Sequence, residues 1–201
     1  MMRYTKILPA LLAAGALVAA GCGDDDGSND SASSAAGNAV DRAFVADMVP
    51  HHRSAVEMAT IAQERGESKF VKQLADDIAR TQDQEIDAMR GEDKALAAAG
   101  IEQGSLGVPE HMTGMDGEPS SLRTATPFDK AFIDMMLPHH EGAVVMAKAE
   151  LAKGKSSKLK TLAQSIIVTQ EREIAAMRKH LGADGEDGEA GGAEHGAGHS
   201  G

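Results

Sequence analysis

A duplicated segment constrains the fold of this chain more than any other feature. Residues 41–90 align with residues 129–178 at a constant offset of 88, without a gap, and 24 of the 50 aligned positions are identical. A period of 88 residues is too long for a solenoid array. The duplication therefore predicts two equivalent units that pack around one core.

Each unit has the pattern of a helical hairpin. The equivalent glycines Gly66 and Gly154 indicate helix ends, and the equivalent serines Ser68 and Ser156 are suited to begin the next helix. Apolar residues recur at three- and four-residue steps, at Val71, Leu74, Ile78, Ile86 and Met89 and at their equivalents Leu159, Leu162, Ile166, Ile174 and Met177.

The beginnings of the two units also correspond. Asn38 and Thr126 are equivalent N-cap candidates, with Asp41 and Asp129 at the third helical position, and Pro127 suits a first helical turn. The chain is therefore predicted to be all-α, a four-helix bundle over residues 38–181. Its helices are expected at 39–65, 68–97, 127–153 and 156–181, with an irregular crossover strap at 98–126, which is rich in Gly, Ser and Pro.

The first 21 residues are predicted to be a bacterial lipoprotein signal. Arg3 and Lys6 precede an apolar run at 7–20, and residues 19–22 read Ala-Ala-Gly-Cys. Cleavage would leave Cys22 as a lipidated N-terminus that anchors the protein to a membrane outside the cytoplasm. The alternative is an ordinary secretory signal with an incidental cysteine.

The two ends of the mature chain lack bulky apolar side chains. Residues 22–37 are predicted to be a flexible tether and residues 182–201 a disordered tail, since neither can bury enough surface to offset its ordering entropy. The tail holds His195 and His199, which either collect metal weakly or are simply solvated.

The composition excludes several classes of function. A net charge of −11 would repel phosphate backbones, so no nucleic acid partner is expected. Aromatic residues make up 2% of the chain and Trp is absent, which argues against stacking platforms for bases or sugars. One Cys rules out a disulfide framework within the chain.

Histidine and methionine carry the chemistry of both repeats. The first helix of each unit presents Met, Pro, His, His and Met in one order, at Met48, Pro50, His51, His52 and Met58 and again at Met136, Pro138, His139, His140 and Met146. Residues three, four and seven apart lie on one stripe of a helix. One helix therefore offers thioether, imidazole and thioether in a row, although a Met stripe can also be plain core filling.

The prolines are predicted to lie inside these helices rather than at their starts. Phe44 and Met48 already continue the helical stripe upstream of Pro50. A Pro there frees the carbonyl four residues earlier and kinks the helix, which would tilt the His pair towards a partner helix.

Polar residues on the second helix of each hairpin are expected to face the histidines. If each hairpin is antiparallel about a centre near residue 67, His51 lies level with Gln82, His52 with Thr81 and Met48 with Glu85. The polar residues recur as Thr169, Gln170 and Glu173. Gln82, Glu85, Gln170 and Glu173 are therefore candidates to orient the imidazoles, and the two glutamates could also ligate directly. The alternative is a structural hydrogen-bond cluster.

Thioether and imidazole together favour copper, with Cu(I) preferred and Cu(II) also acceptable. Zinc seldom takes Met ligands, and calcium, magnesium and manganese prefer oxygen. The metal candidates are the eight His and Met residues of the duplicated stripe, namely Met48, His51, His52, Met58, Met136, His139, His140 and Met146. His111, Met112 and Met115 are candidates for a third, softer site in the strap.

The duplicated pattern FxxxMxPHHxxAxxMA, followed in each half by TQxxEIxxMR, resembles the CopM-like family of bacterial proteins. The resemblance covers about residues 38–181. It implies a ferritin-like four-helix bundle, secreted or membrane-anchored, with members that bind copper and contribute to copper tolerance. Family members often have a more Met-rich strap than His111-Met112-Thr113-Gly114-Met115, which is a departure of this chain.

Three functions compete at this point. The first is a non-enzymatic, lipid-anchored copper-binding protein that sequesters copper or passes it to a copper-transfer protein. The second is a helical interaction module whose histidines only hydrogen-bond within the core. The third is a ferritin-like metallo-oxidase, which needs Glu-x-x-His motifs that this sequence lacks.

Overall fold

Four long helices dominate residues 37–187, the part of the chain that the computed structural model describes. The helices are α1 (Ala39–Arg65), α2 (Lys69–Ala98), α3 (Phe128–Lys153) and α4 (Ser157–Asp187). The strap between α2 and α3 contains two short 3-10 turns, Glu110–Met112 and Pro119–Arg123. The all-α four-helix prediction is confirmed. The predicted signal, the tether up to residue 36, Cys22, His195 and His199 lie outside the described residues.

The predicted bounds of α1, α2 and α3 are correct to within one residue at both ends. The sequence predicts that α4 ends at 181, but the helix continues to Asp187, into the segment expected to be disordered. Adding a residue to a formed helix costs far less than nucleating one, so the long α4 extends into polar sequence. Within the described residues, no helix is both long enough and apolar enough to cross a membrane.

The start of α1 follows the sequence prediction. The Asn38 side chain accepts hydrogen bonds from the main-chain amides of Val40 and Asp41, and the Asp41 carboxylate accepts from the amide of Asn38. This reciprocal capping box satisfies amides that the first helical turn cannot pair.

The start of α3 differs from the prediction. Pro127 rather than Thr126 is the residue that precedes α3, and no side-chain cap bond forms there. The backbone of Pro127 is extended, so the helix begins only at Phe128 and Thr126 lies too early to cap it.

Two aspartates link the hairpins to each other. Asp41 on α1 accepts hydrogen bonds from the amides of Lys155 and Ser156, which precede α4. Its equivalent Asp129 on α3 accepts from the amides of Glu67 and Ser68, which precede α2, at 2.8 Å each. Each hairpin therefore caps the second helix of the other, and this reciprocity reflects the duplication of the sequence.

The helices that carry histidine face each other across the core. Helix α1 packs on α2 and α3 packs on α4, and the two hairpins meet chiefly where α1 contacts α3. The equivalent residues Phe44 and Phe132 are fully buried there. Pro50 and Pro138 both lie inside their helices, as predicted, rather than at helix starts.

The strap packs against the bundle at several points. Leu106 and Leu122 are buried. The Arg65 guanidinium at the end of α1 donates to the carbonyl oxygens of Leu122 and Ala125 and lies 5.0 Å from the centre of the Phe128 ring. These contacts hold the crossover segment against the helices it connects.

Glu150 is a buried carboxyl group on α3 with no counterpart in the first repeat, where Ala62 occupies the equivalent position. Its carboxyl group lies beside that of Asp41, to which the protonated acid can donate a hydrogen bond. Burial, and then the neighbouring Asp41 carboxylate, raise the pKa of Glu150 to about 8, opposed by the Lys160 ammonium. The folded protein therefore favours the protonated acid at neutral pH.

We expect Glu150→Gln to stabilise the protein at pH 8. Because the folded state holds the Glu150 proton more tightly than the unfolded state, wild-type stability should fall as pH rises from the ordinary carboxyl pKa towards 8. The fall should approach about 1.4 kcal/mol per pH unit, and a neutral amide should remove it. Chemical denaturation between pH 5 and pH 8 measures this, with Glu57→Gln on the exposed face of α1 as control. Parallel pH profiles for wild type and Glu150→Gln would contradict the assignment.

Candidate metal centre

Four imidazoles lie in the interior where α1 and α3 meet. His51, His52, His139 and His140 expose between 0% and 2% of their surface. The rings of His51 and His139 are in contact, with centroids 3.7 Å apart and planes tilted by 34°. The second histidine of each pair lies farther from this contact, with centroid separations of 6.3 Å for His51–His52 and 6.4 Å for His139–His140. His51 and His139 are therefore the inner histidines, and His52 and His140 the outer histidines.

A glutamate from the second helix of each hairpin holds the outer histidine. The Nε2 atom of His52 lies 2.8 Å from Oε2 of Glu85, and Nε2 of His140 lies 2.8 Å from Oε2 of Glu173. A carboxylate accepts the N–H of the ring, so the proton is assigned to Nε2 and Nδ1 points elsewhere. Such a carboxylate–histidine pair commonly orients a histidine towards a metal.

The partner of His52 differs from the simple register prediction, which places Thr81 level with His52 and Glu85 one turn away. Helical side chains tilt towards the N-terminus of their own helix. In an antiparallel hairpin, His52 therefore leans towards the level of Glu85 while Glu85 leans towards the level of His52. The two tilts together close the one-turn offset.

The strap supplies a hydrogen bond to one of the inner histidines. Nε2 of His51 donates to the main-chain oxygen of Thr113, at 2.9 Å. Burial lowers the pKa of His51 to about 3, and the bond to Thr113 opposes that shift only in part. Burial also places the pKa of His139 well below its usual value, and His51 lowers it further. Both inner rings are therefore neutral at physiological pH.

Five ring nitrogens of these histidines have no hydrogen-bond partner. They are Nδ1 of His51, His52, His139 and His140, and also Nε2 of His139. A buried polar atom without a partner costs about 1–3 kcal/mol, so native proteins seldom keep several together without a reason. A neutral ring with its proton on Nε2 presents a lone pair at Nδ1, which is the form of imidazole that binds a metal.

The four methionines of the duplicated stripe are buried with the histidines. Met48 and Met136 are 0% exposed, and Met58 and Met146 are 1% exposed. The residues of the stripe thus bring thioether sulfur and neutral imidazole into one interior. No group of three or more His, Cys, Asp or Glu side chains that could hold a metal ion occurs in the described part of the chain, and this ligand set does not include Met.

The two glutamines predicted to orient the imidazoles are buried but do not bond them. Gln82 and Gln170 are each 2% exposed. The Oε1 atom of Gln82 and both amide atoms of Gln170 have no hydrogen-bond partner. Of the four polar residues predicted to face the histidines, only Glu85 and Glu173 hydrogen-bond to an imidazole.

The predicted strap site lies on the surface. His111 is exposed, and Met112 and Met115 are 44% and 41% exposed. Met115 lines a shallow cleft with Pro50, Arg53 and other residues of α1 and the strap. The strap therefore does not bring these three side chains into the buried His centre.

The sequence analysis did not identify Thr113 as a partner of His51. The contact uses the main-chain carbonyl, which is present in every residue whatever its type. One signal was present in the alignment of the repeats, where Gly142 stands opposite Ser54, two residues after the His pair. A Cβ atom at Gly142 would lie 1.8 Å from the Thr113 oxygen, so only glycine admits the strap there.

Comparison with known proteins places this architecture in a family. The family model described as "Domain of unknown function (DUF305)" matches residues 41–181, which is most of the described bundle and both His pairs. The chain belongs to the DUF305 family. Curated proteins add little to this assignment, since the DUF305 chain is 38% identical to uncharacterised protein L153 of Acanthamoeba polyphaga mimivirus over only 53 residues, about a third of that protein's length.

Solved structures share the fold of this DUF305 chain. CopM in its Cu(I)-bound form is 30% identical, with a TM-score of 0.60, and the match covers 71% of this chain and 96% of CopM. A DUF305 protein from Streptomyces coelicolor is 29% identical, with a TM-score of 0.63 over 73% of this chain and 94% of that protein. A DUF305 fragment from Deinococcus radiodurans is 33% identical, with a TM-score of 0.58 over 72% and 96%. CopM has also been solved with Cu(II) and with silver.

We expect Glu85→Ala and Glu173→Ala to destabilise the metal-free protein by about the same amount, roughly 1–3 kcal/mol each. Each change removes the acceptor of a buried imidazole N–H, and the two pairs have equal distances and equal side-chain exposure. Denaturant unfolding measures both costs, with Gln84→Ala as the exposed neighbouring control. Unequal costs, with one variant near wild type, would show that the two pairs are not equivalent in energy.

Proposed function

We propose that this protein binds copper in the interior of its bundle and sequesters it or hands it on, without catalysing a reaction. The observation that carries the proposal is the set of buried Nδ1 atoms without partners on all four histidines. A bound metal ion would satisfy these atoms, which hydrogen bonds within the protein leave unpaired. The CopM structures with copper and silver support the same conclusion by family relationship.

Copper in the Cu(I) state fits the residues present better than other metals. Neutral imidazole and thioether are the ligands that Cu(I) prefers, and Met48 and Met136 are as deeply buried as the histidines next to them. Glu85 and Glu173 would act through His52 and His140, by fixing their tautomers and raising the basicity of Nδ1. The same residues could also bind Cu(II), since imidazole is a ligand for both oxidation states.

The proposal predicts that sulfur, and not only packing volume, is needed. Met48→Leu and Met136→Leu keep the apolar volume and should change the stability of the metal-free protein by less than about 1.5 kcal/mol. Each should weaken Cu(I) binding by at least about tenfold, equivalent to about 1.4 kcal/mol. Equilibrium dialysis of residues 23–201 under reducing conditions measures this, and Met135→Leu, at a half-buried neighbouring position, is the matched control.

Two results would contradict copper binding. One is no copper uptake, or uptake that is unchanged when both His pairs are replaced by Ala. The other is a melting temperature that does not move at saturating copper, since a ligand bound only by the folded state must raise it. The second result would favour the interaction module. Lost uptake in Met112→Leu/Met115→Leu would assign copper to the strap as well.

We further propose that the protein is a bacterial lipoprotein held outside the cytoplasm by a lipid on Cys22, with a copper-transfer protein as its partner. The support is the sequence Ala-Ala-Gly-Cys after an apolar run. Labelling of growing cells with radioactive palmitate should mark the wild-type chain and not Cys22→Ser. Equal labelling of both, or secretion of the wild type without label, would contradict the anchor.

A further inference from the structure

The strap breaks the equivalence of the two repeats at one point of the metal centre. Thr113 and Gly114 pass directly over the His-bearing part of α3, where a Cβ at Gly114 would lie 2.0 Å from the Pro138 oxygen. Gly114 has a φ of +69°, which glycine adopts without strain. On the other side of the contact, Gly142 replaces the Ser54 of the first repeat and leaves room for the Thr113 carbonyl. The main chain of the strap therefore packs directly on α3 at Pro138 and Gly142, while its Thr113 oxygen reaches His51 of α1.

The consequence falls on the two inner histidines. The Thr113 oxygen accepts the Nε2 proton of His51, which leaves Nδ1 of that ring as the lone pair. No strap oxygen reaches the equivalent His139, and neither of its ring nitrogens has a hydrogen-bond partner beyond a weak main-chain contact with His51. Glu85 orients His52, and Glu173 orients His140. An oxygen acceptor therefore orients both imidazoles of the first repeat, but in the second repeat it orients only the outer imidazole, that of His140.

We infer that the main-chain carbonyl of Thr113 is a positioning group that presents Nδ1 of His51 to the metal, so that the first His pair binds Cu(I) more tightly than the second. This inference rests on the proposed function. A ligand whose ring orientation and tautomer are already set loses less freedom on binding, and such supporting hydrogen bonds typically contribute about 10- to 100-fold in metal affinity. The first metal equivalent should therefore go to His51 and His52.

Nitrogen NMR of the histidine side chains tests the inference on residues 23–201, which include every described residue. In the metal-free wild type, His51 should show the tautomer protonated at Nε2, whereas His139 should show a mixture. On titration with Ag(I), a diamagnetic stand-in for Cu(I), the His51 and His52 nitrogens should shift with the first equivalent. The His139 and His140 nitrogens should follow at a free Ag(I) concentration at least about tenfold higher.

A variant and its matched control isolate the strap. Gly142→Ala places a methyl group against the Thr113 oxygen and should move the strap away from His51, although alanine itself favours the helix. We expect His51 to lose its single tautomer and the two steps to merge. Ser54→Ala, at the equivalent position of α1, should behave as wild type.

Several results would overturn the inference. They are a His51 ring protonated at Nδ1, metal binding to His139 and His140 before His51 and His52, simultaneous binding by all four rings, or two separate steps that survive in Gly142→Ala. The wild-type measurements decide the question even if Gly142→Ala does not fold. If no histidine nitrogen shifts with Ag(I) or Cu(I), both the proposed function and the inferred order of binding are wrong. If metal binds in a different order, only the inference is wrong and the proposed function stands.

Discussion

The candidate metal centre depends on the contact between the imidazoles of His51 and His139, which lies where α1 packs on α3. Two buried rings with centroids 3.7 Å apart are compatible only with neutral side chains, because burial penalises the charged form and two cations would repel each other. The outer histidines, His52 and His140, lie away from this contact, where Glu85 and Glu173 reach them.

The hairpins are joined by main-chain hydrogen bonds to aspartate as well as by apolar packing. Asp41 and Asp129 each cap the second helix of the other hairpin, so neither hairpin pairs all its helix-terminal amides alone. The two links differ in their surroundings, because only Asp41 has a second buried carboxyl group, Glu150, beside it. The duplicated scaffold thus carries a titrating group at one end, on the same helix as His139 and His140.

The histidines lower the stability of the metal-free interior. Apolar side chains at these four positions would leave no unpaired nitrogen atoms in the core. Functional sites are where proteins commonly keep such locally unfavourable groups. The surrounding methionines provide apolar volume and a soft ligand in one side chain, so the same residues fill the core and could bind metal.

Local patterns in the chain were enough to predict the four helices, most of their bounds and the position of Pro50 and Pro138 inside helices, because periodicity, capping residues and the duplication act along each helix separately. They also named Glu85 and Glu173 as partners for histidine, but only the tilt of both side chains selected His52 for Glu85. The helix start at Phe128, the buried Glu150 and the Thr113–His51 bond arise from the packing of the folded chain. These features depend on segments far apart in the chain. For Thr113 the group involved is a main-chain carbonyl that every residue possesses, and the sequence marks the contact only indirectly, through Gly142 opposite Ser54.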